Sequence, residues 1–258
     1  MSAVLPLAVV PVVLPLLSAA ALLLATDVQR RLGSLLNILA TLAGLLVAVA
    51  LLLRVDDGGS AAIAVHLTSN WAAPYGIPLV ADRLSALMLV VVGVVALGAA
   101  LYASAGWYRV GTYFYPLFQI LLMGVNGAFL TGDLFNLFVF FEVMLAASYG
   151  LQLHGSGRVR VRAGMHYIAV NLLASSLFLI GLAVLYGVLG SLSMADVAAK
   201  APLVADADRG LLHVGVVMLA MAFLVKAAVW PLNAWLVPAY TATSIPVAAL
   251  FVVMTKVG

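Results

Sequence analysis

Eight mostly apolar stretches, each near the roughly 20 residues a helix needs to cross a hydrocarbon core, follow one another along this chain of 258 residues. They fall at about 4–25, 33–53, 80–103, 113–131, 134–153, 164–189, 211–230 and 243–258. Hydrocarbon offers no partner for a backbone N–H or C=O, so segments of this length satisfy their own groups as helices. The composition agrees: 66% of residues are hydrophobic and 8% charged, against about 25% charged in soluble domains. The sequence therefore predicts an all-α polytopic membrane protein, a bundle of about eight transmembrane helices. It contains no cysteine, which excludes disulfides, thiolate metal sites, haem attachment and a cysteine nucleophile. The formal charge of +3 is spread over the loops, and no basic patch points to nucleic acid. Residues 1–10 carry no positive charge, which argues against a cleaved signal peptide.

Prolines and glycines set the local expectations. Pro6, Pro11 and Pro15 remove backbone donors from the first run and predict an irregular outer half. The loop 54–79, with Asp56, Asp57, Gly58, Gly59 and Pro74, is turn-rich and predicts a short hairpin. Ser193 to Lys200 reads as a short amphipathic surface helix that Ser193 caps. Arg30, Arg31, Arg109, Arg158, Arg160 and Arg162 fall on one side of the alternating runs; Arg54, Arg83, Lys200 and Arg209, with most aspartates, fall on the other. The arginine-rich side is then cytoplasmic and the N-terminus lies outside.

Glu142 is the only glutamate, and it sits in the middle of the fifth run. A charge at a bilayer centre costs about 2.5–3.5 kcal/mol on insertion scales, so it faces the bundle interior and marks an ion or proton path. Phe135, Phe138, Glu142, Leu145 and Tyr149 share its helix face at three-four spacing. A structural ion pair between helices is the alternative. Lys226 and Lys256, two of three lysines, lie in later apolar runs. Pro231 cannot bond the carbonyl of Ala227, so it breaks the seventh helix about one turn beyond Lys226, and a charge at such a break is how membrane proteins build midplane ion sites. The alternative is a lysine snorkelling to the interface. Lys256, after Pro246 on the eighth run, is placed across the bundle from Lys226, or else at the end of its helix.

The other polar residues are weaker candidates. His213 is 13 residues from Lys226, roughly on the opposite helix face. His154 and His166 flank the arginine-rich loop, and His66 lies in the outer loop. Asp133 precedes the fifth helix and reads as its cap, with cation uptake as the lesser alternative. No nucleotide-binding, HExxH or haem-spaced pattern occurs, so no cofactor and no metal site is expected, and energy must come from gradients or partners.

The run Thr131-Gly132-Asp133-Leu134-Phe135-Asn136-Leu137-Phe138-Val139-Phe140-Phe141-Glu142-Val143 resembles the signature of the D subunits of Mrp-type multisubunit cation/proton antiporters. Residues 81–88, the stretch from Val170 to Phe178 within 167–196, and Thr255-Lys256-Val257-Gly258 agree. That family is related to the antiporter-like subunits of respiratory complex I. The resemblance implies a larger inverted-repeat fold about twice this length, of which the chain is the N-terminal half. Residues 1–110 would form the first three helices with the outer loop, and 111–258 the first proton-translocating repeat. It implies that Glu142 is the paired acid, Lys226 the proton-handling lysine beside it, and Lys256 the next lysine. Implied partners are other membrane subunits of a hetero-oligomeric complex in a bacterial inner membrane, with protons and monovalent cations as cargo. Asn233 to Tyr240 lacks the histidine and acid that complex I relatives carry after the broken helix, which favours the antiporter group.

The last run stops at Gly258 without a charged flank, which reads as a chain cut short; a natural short eighth helix is the alternative. Proton-driven cation efflux is the expected function. A proton-pumping subunit of a quinone oxidoreductase or hydrogenase complex, and a scaffold that only supports assembly, are the other two readings.

Overall fold

The computed structural model describes residues 7–24, 30–57, 63–67, 71, 74–105, 113–155 and 157–258. Pro6, Gly58, Gly59 and Arg109 lie outside them, as do the side chains of Arg30, Arg31 and Asp57. The chain is mostly helical. In order it forms α1 Val10–Leu24, α2 Arg30–Asp57, β1 Ala64–Leu67, β2 Pro78–Ala81, α3 Arg83–Ser104, α4 Phe114–Leu130, α5 Leu134–Leu153, α6 Arg158–Leu189, α7 Met194–Lys200, α8 Arg209–Lys226, α9 Leu236–Ala242 and α10 Ile245–Met254. Among the described residues, α2, α3, α5, α6 and α8 are long and apolar enough to cross a membrane, and α1, α4 and α10 are shorter apolar helices on the other three runs. The turn-rich loop forms the short hairpin expected of it, an antiparallel pair of β1 with β2 in which Ala64 faces Ala81 and Leu67 faces Pro78, a departure from an otherwise all-α fold.

Proline chemistry explains how the first helix joins the bundle. Helix α1 begins at Val10 and keeps Pro15 inside it. Pro15 has no N–H for the carbonyl of residue 11, one turn earlier. That freed Pro11 carbonyl accepts a hydrogen bond from Asn126 Nδ2 of α4 at 2.9 Å. A missing intrahelical bond thereby becomes an interhelical one, as lipid requires. Beside it, Gln119 Nε2 of α4 donates to Asn37 Oδ1 at 2.9 Å and Thr41 Oγ1 at 3.1 Å on α2, and all three side chains are buried.

Small residues set the closest helix approaches, because membrane helices gain by packing rather than by escaping water. A Cβ on Gly124 of α4 would lie 2.8 Å from the Met144 nitrogen of α5, and one on Gly127 would fall 2.2 Å from the Phe140 ring. Helices α6 and α8 cross in the same manner: a Cβ on Gly181 would stand 3.0 Å from the Gly215 carbonyl. The buried residues of α8 are Leu212, Gly215, Leu219, Ala222 and Lys226, a three-four stripe whose last member is the lysine. Helix α6 answers with Asn171, Ser175, Phe178, Leu182 and Leu185.

The connections between these elements are knitted together. Gly132 N–H donates to the Pro78 carbonyl, Leu134 N–H to Leu192, and Met194 N–H to Gly132, each at 2.9 Å. Ser193 occupies the cap position of α7, but its side chain makes no capping bond, a correction to the expected serine cap. The arginine-rich segment also differs from expectation. It is not a loop but the first turns of α6, which starts at Arg158. Arg160 Nε donates to the Ala242 carbonyl at 2.9 Å, and its Nη1 donates to the His154 carbonyl. The guanidinium therefore ties the C-terminal ends of α9 and α5, where carbonyls lack helical partners and a cation is favoured.

Two tests follow. Gly124→Ala should cost about 1–3 kcal/mol by overpacking, whereas Gly187→Ala, with nothing within 4 Å of the added carbon, should be neutral or better; thermal unfolding midpoints in detergent read the difference. Asn126→Leu should cost about 1 kcal/mol by orphaning the Pro11 carbonyl. In a Pro15→Ala background that penalty should shrink, because residue 15 then supplies the missing N–H, and equal penalties in the two backgrounds would refute the compensation.

Candidate functional site

Helix α5 starts at Asp133, whose buried carboxylate accepts the Asn136 N–H at 2.8 Å. Asp133 is thus the cap expected of it. Burial raises its pKa above the usual carboxylate value, and the N–H bonds from Asn136 and Phe135 hold part of that rise back. Once capped, α5 runs unbroken to Leu153 and carries Glu142, half-buried, toward the face of α6.

Lys226 arrives from another direction. It is the last residue of α8 and only 5% exposed. The regular helix stops at the lysine itself rather than a turn later: Ala227 caps it and Ala228 turns into the left-handed region at φ 52°. Pro231 lies in the following turns, and the chain resumes helix at Leu236 as α9. The seventh run is therefore discontinuous, with the lysine at the negative end of the first half's dipole, a place that favours an ammonium group. The Val225 carbonyl accepts the Ala228 N–H at 3.1 Å and, in addition, the Trp235 Nε1 hydrogen at 3.0 Å.

Ser175 of α6 joins the two charged groups. Its hydroxyl donates to Glu142 Oε1 and accepts from Lys226 Nζ at 3.2 Å. It is itself 6% exposed. Ion pairs within 4 Å join Arg83 to Asp56, Lys200 to Asp196 and Arg209 to Asp206, near helix ends and loops. Glu142 and Lys226 instead meet through one hydroxyl. The Lys226 ammonium also sits 4.9 Å from the centre of the Phe141 ring, a cation–π contact that strengthens where water is excluded.

A small cavity of about 20 Å³ opens beside Lys226, lined by Tyr167, Asn171, Trp235, Tyr240 and Thr255 among others. That is room for a single water with polar partners. The site can therefore hold a buried cation, a half-buried acid and a hydroxyl between them, with water on the lysine's other side.

The remaining candidates lie elsewhere. Lys256 is exposed, in the turn that follows α10 rather than on the helix, so its expected helical placement needs correcting. That turn nonetheless abuts the break in α8, since a Cβ on Gly258 would lie 2.8 Å from the Ala227 nitrogen. His166 and His213 are exposed and stand apart from the Glu142–Ser175–Lys226 cluster. Among the described residues, no group of three potential ligands could hold a metal. The sequence reading missed Ser175, which it took only as part of a motif, and Phe141, which lies one position from the face assigned to Glu142. Three-four spacing along α6 from Asn171 through Ser175 to Phe178 was the available signal.

Comparison with known proteins completes the picture. Residues 131–258 match the transmembrane family described as NADH:quinone oxidoreductase/Mrp antiporter. The D subunit of a probable K(+)/H(+) antiporter of Rhizobium meliloti is 51% identical over 255 residues, covering 98% of this chain and 47% of that protein. The D subunit of a Na(+)/H(+) antiporter of Alkalihalophilus pseudofirmus is 40% identical, covering 98% of this chain and 50% of that protein. In the solved Mrp complex from Dietzia sp. DQ12-45-1b, one chain superposes with a TM-score of 0.89 at 38% identity, over 99% of this chain and 47% of that one. The chain spans about half the length of the curated relatives it matches. By its sequence and its fold, the chain belongs to the NADH:quinone oxidoreductase/Mrp antiporter family of membrane proteins, alongside the family's antiporter D subunits.

Proposed function

We propose that this chain is the N-terminal part of a membrane subunit of a multisubunit monovalent cation/proton antiporter, with Glu142 and Lys226 as its proton carriers. One observation carries the reading: an acid from an unbroken helix and a lysine from a broken one share a buried hydroxyl inside an apolar bundle. A purely structural link between membrane helices needs only small or neutral polar groups. Two charged groups and a hydroxyl, brought by three helices to a helix break, fit a site that changes protonation. The names of the two relatives, one from a K(+)/H(+) and one from a Na(+)/H(+) antiporter, support exchange as the activity and leave the cation open.

In this reading Lys226, held at the helix end beside a water-sized cavity, takes a proton and passes it toward Glu142. Lys256 is the next carrier, a role supported by the position of its turn against the break in α8. Eight crossings with the N-terminus outside agree with the distribution of arginines, and the native-length chain completes the fold with a second, inverted repeat. Other membrane subunits cover the exposed apolar faces that lipid does not.

The test is exchange by the native-length chain in its assembled complex, followed as cation-dependent collapse of a pH gradient in everted vesicles. Glu142→Gln and Lys226→Ala should each lower exchange by about a hundredfold, the low end of what loss of a positioned proton carrier costs, while the subunits still co-purify. Wild-type exchange by Glu142→Gln would sink the proposal. Loss of membrane electron transfer on deleting the gene for this chain would point instead to a redox-driven pump.

A further inference from the structure

The proposed path contains a gap that the two charged residues cannot close by themselves, because they meet only through Ser175. We infer that the Ser175 hydroxyl is the proton relay between Lys226 and Glu142, and that it keeps the two charges from collapsing into a direct ion pair. The inference deepens the function proposed above and rests on it.

The geometry carries it in three ways. A serine hydroxyl has one proton to donate and lone pairs to accept with, and here it does both at once, donating to Glu142 Oε1 and accepting from Lys226 Nζ. The small cavity beside Lys226, of a size for one water, includes neither Ser175 nor Glu142 in its lining. The lysine therefore has one side on the cavity, with Asn171, Tyr240 and Thr255, and another on Ser175. On that second side the hydroxyl is the polar group that links the lysine to the acid.

The transfer is a balanced double step. The Nζ–H bond of the Lys226 ammonium breaks as its proton joins Ser175 Oγ, and the Ser175 O–H bond breaks as its own proton joins Glu142 Oε1. Lys226 ends as a neutral amine, Glu142 as a neutral carboxylic acid, and Ser175 is again a hydroxyl, reset by rotation about its Cβ–Oγ bond. No oxidant, metal or cofactor is needed. Two opposite charges vanish together, so the low-dielectric bundle never holds a lone charge during the step. A direct contact would instead deepen the ion pair and hold the proton on the lysine.

Position also explains the choice of residue. The close crossing of α6 and α8 at Gly181 and Gly215 brings Ser175 to the end of the α8 stripe, where space suits a small side chain. Threonine retains the hydroxyl, and valine has threonine's shape without it, so the two separate chemistry from volume.

The experiment places Ser175→Ala, Ser175→Thr and Ser175→Val in the native-length chain and measures exchange in vesicles, with Glu142→Gln as a parallel control and co-purification as the check on assembly. The relay predicts that Ala and Val lower exchange by roughly tenfold or more, toward the range of a lost proton-transfer group, and that Thr stands well above Val. Wild-type exchange by Ser175→Ala, or Thr no better than Val, overturns the relay. If Ser175→Ala exchanges normally while Glu142→Gln is inactive, the relay falls and the antiporter reading stands. If Glu142→Gln is itself fully active, both fall.

Discussion

A charge inside hydrocarbon has to be matched by polar groups of the protein, and in this bundle the matching is concentrated where the seventh span stops being a helix. Ending α8 at Lys226 puts an ammonium on its open carbonyl end and lets Trp235 add a bond to the Val225 carbonyl beside that of the Ala228 N–H. It also starts the turns that lead into α9. The cluster of acid, hydroxyl and lysine depends on that interruption. A continuous helix would leave Lys226 with no helix end to favour its charge and no cavity at its side.

The same rule, that no polar backbone group is left bare in lipid, accounts for features far from the site. Pro15 frees a carbonyl that Asn126 takes up, and Arg160 covers carbonyls at the ends of α5 and α9. The buried Asn37, Thr41 and Gln119 bond one another between α2 and α4. Each irregularity in one helix is answered by a side chain of another, so the bundle is specified by complementary defects as well as by apolar packing. Glycine does the rest: at Gly124 and Gly181 the helices approach to distances that a methyl group would forbid.

Much of this was legible in the chain itself. The fifth run was read as 134–153 and the helix is Leu134–Leu153. The hairpin and the discontinuity of the seventh run were signalled by turn residues and proline, and the surface helix ending at Lys200 by its amphipathic pattern. Boundaries failed where polar residues extend a helix beyond the lipid. Helix α6 starts at Arg158 because nothing in Arg158 to Arg162 stops a helix, although hydropathy placed the start at 164. The break was expected about one turn beyond Lys226; the missing N–H of Pro231 bears on the turn before it, and the chain leaves helical geometry within that turn, directly after Lys226.

Length, spacing and composition by themselves determined that this is a multi-pass helical membrane protein, because only helices satisfy runs of that length in lipid. They also singled out Glu142 and Lys226, because rare charges stand out against an apolar background. Only the tertiary structure decided what those charges touch. Serine is common and neutral, so the three-four spacing of Asn171, Ser175 and Phe178 gives Ser175 a helix face but no partner, and the crossing of α6 over α8 brings it between the two. The structure likewise separated Lys226, buried at a helix end, from Lys256, exposed in a turn, since burial depends on neighbours distant in sequence. His166 and His213 show the same limit from the other side: both lie in apolar helices, and packing leaves both outside the cluster.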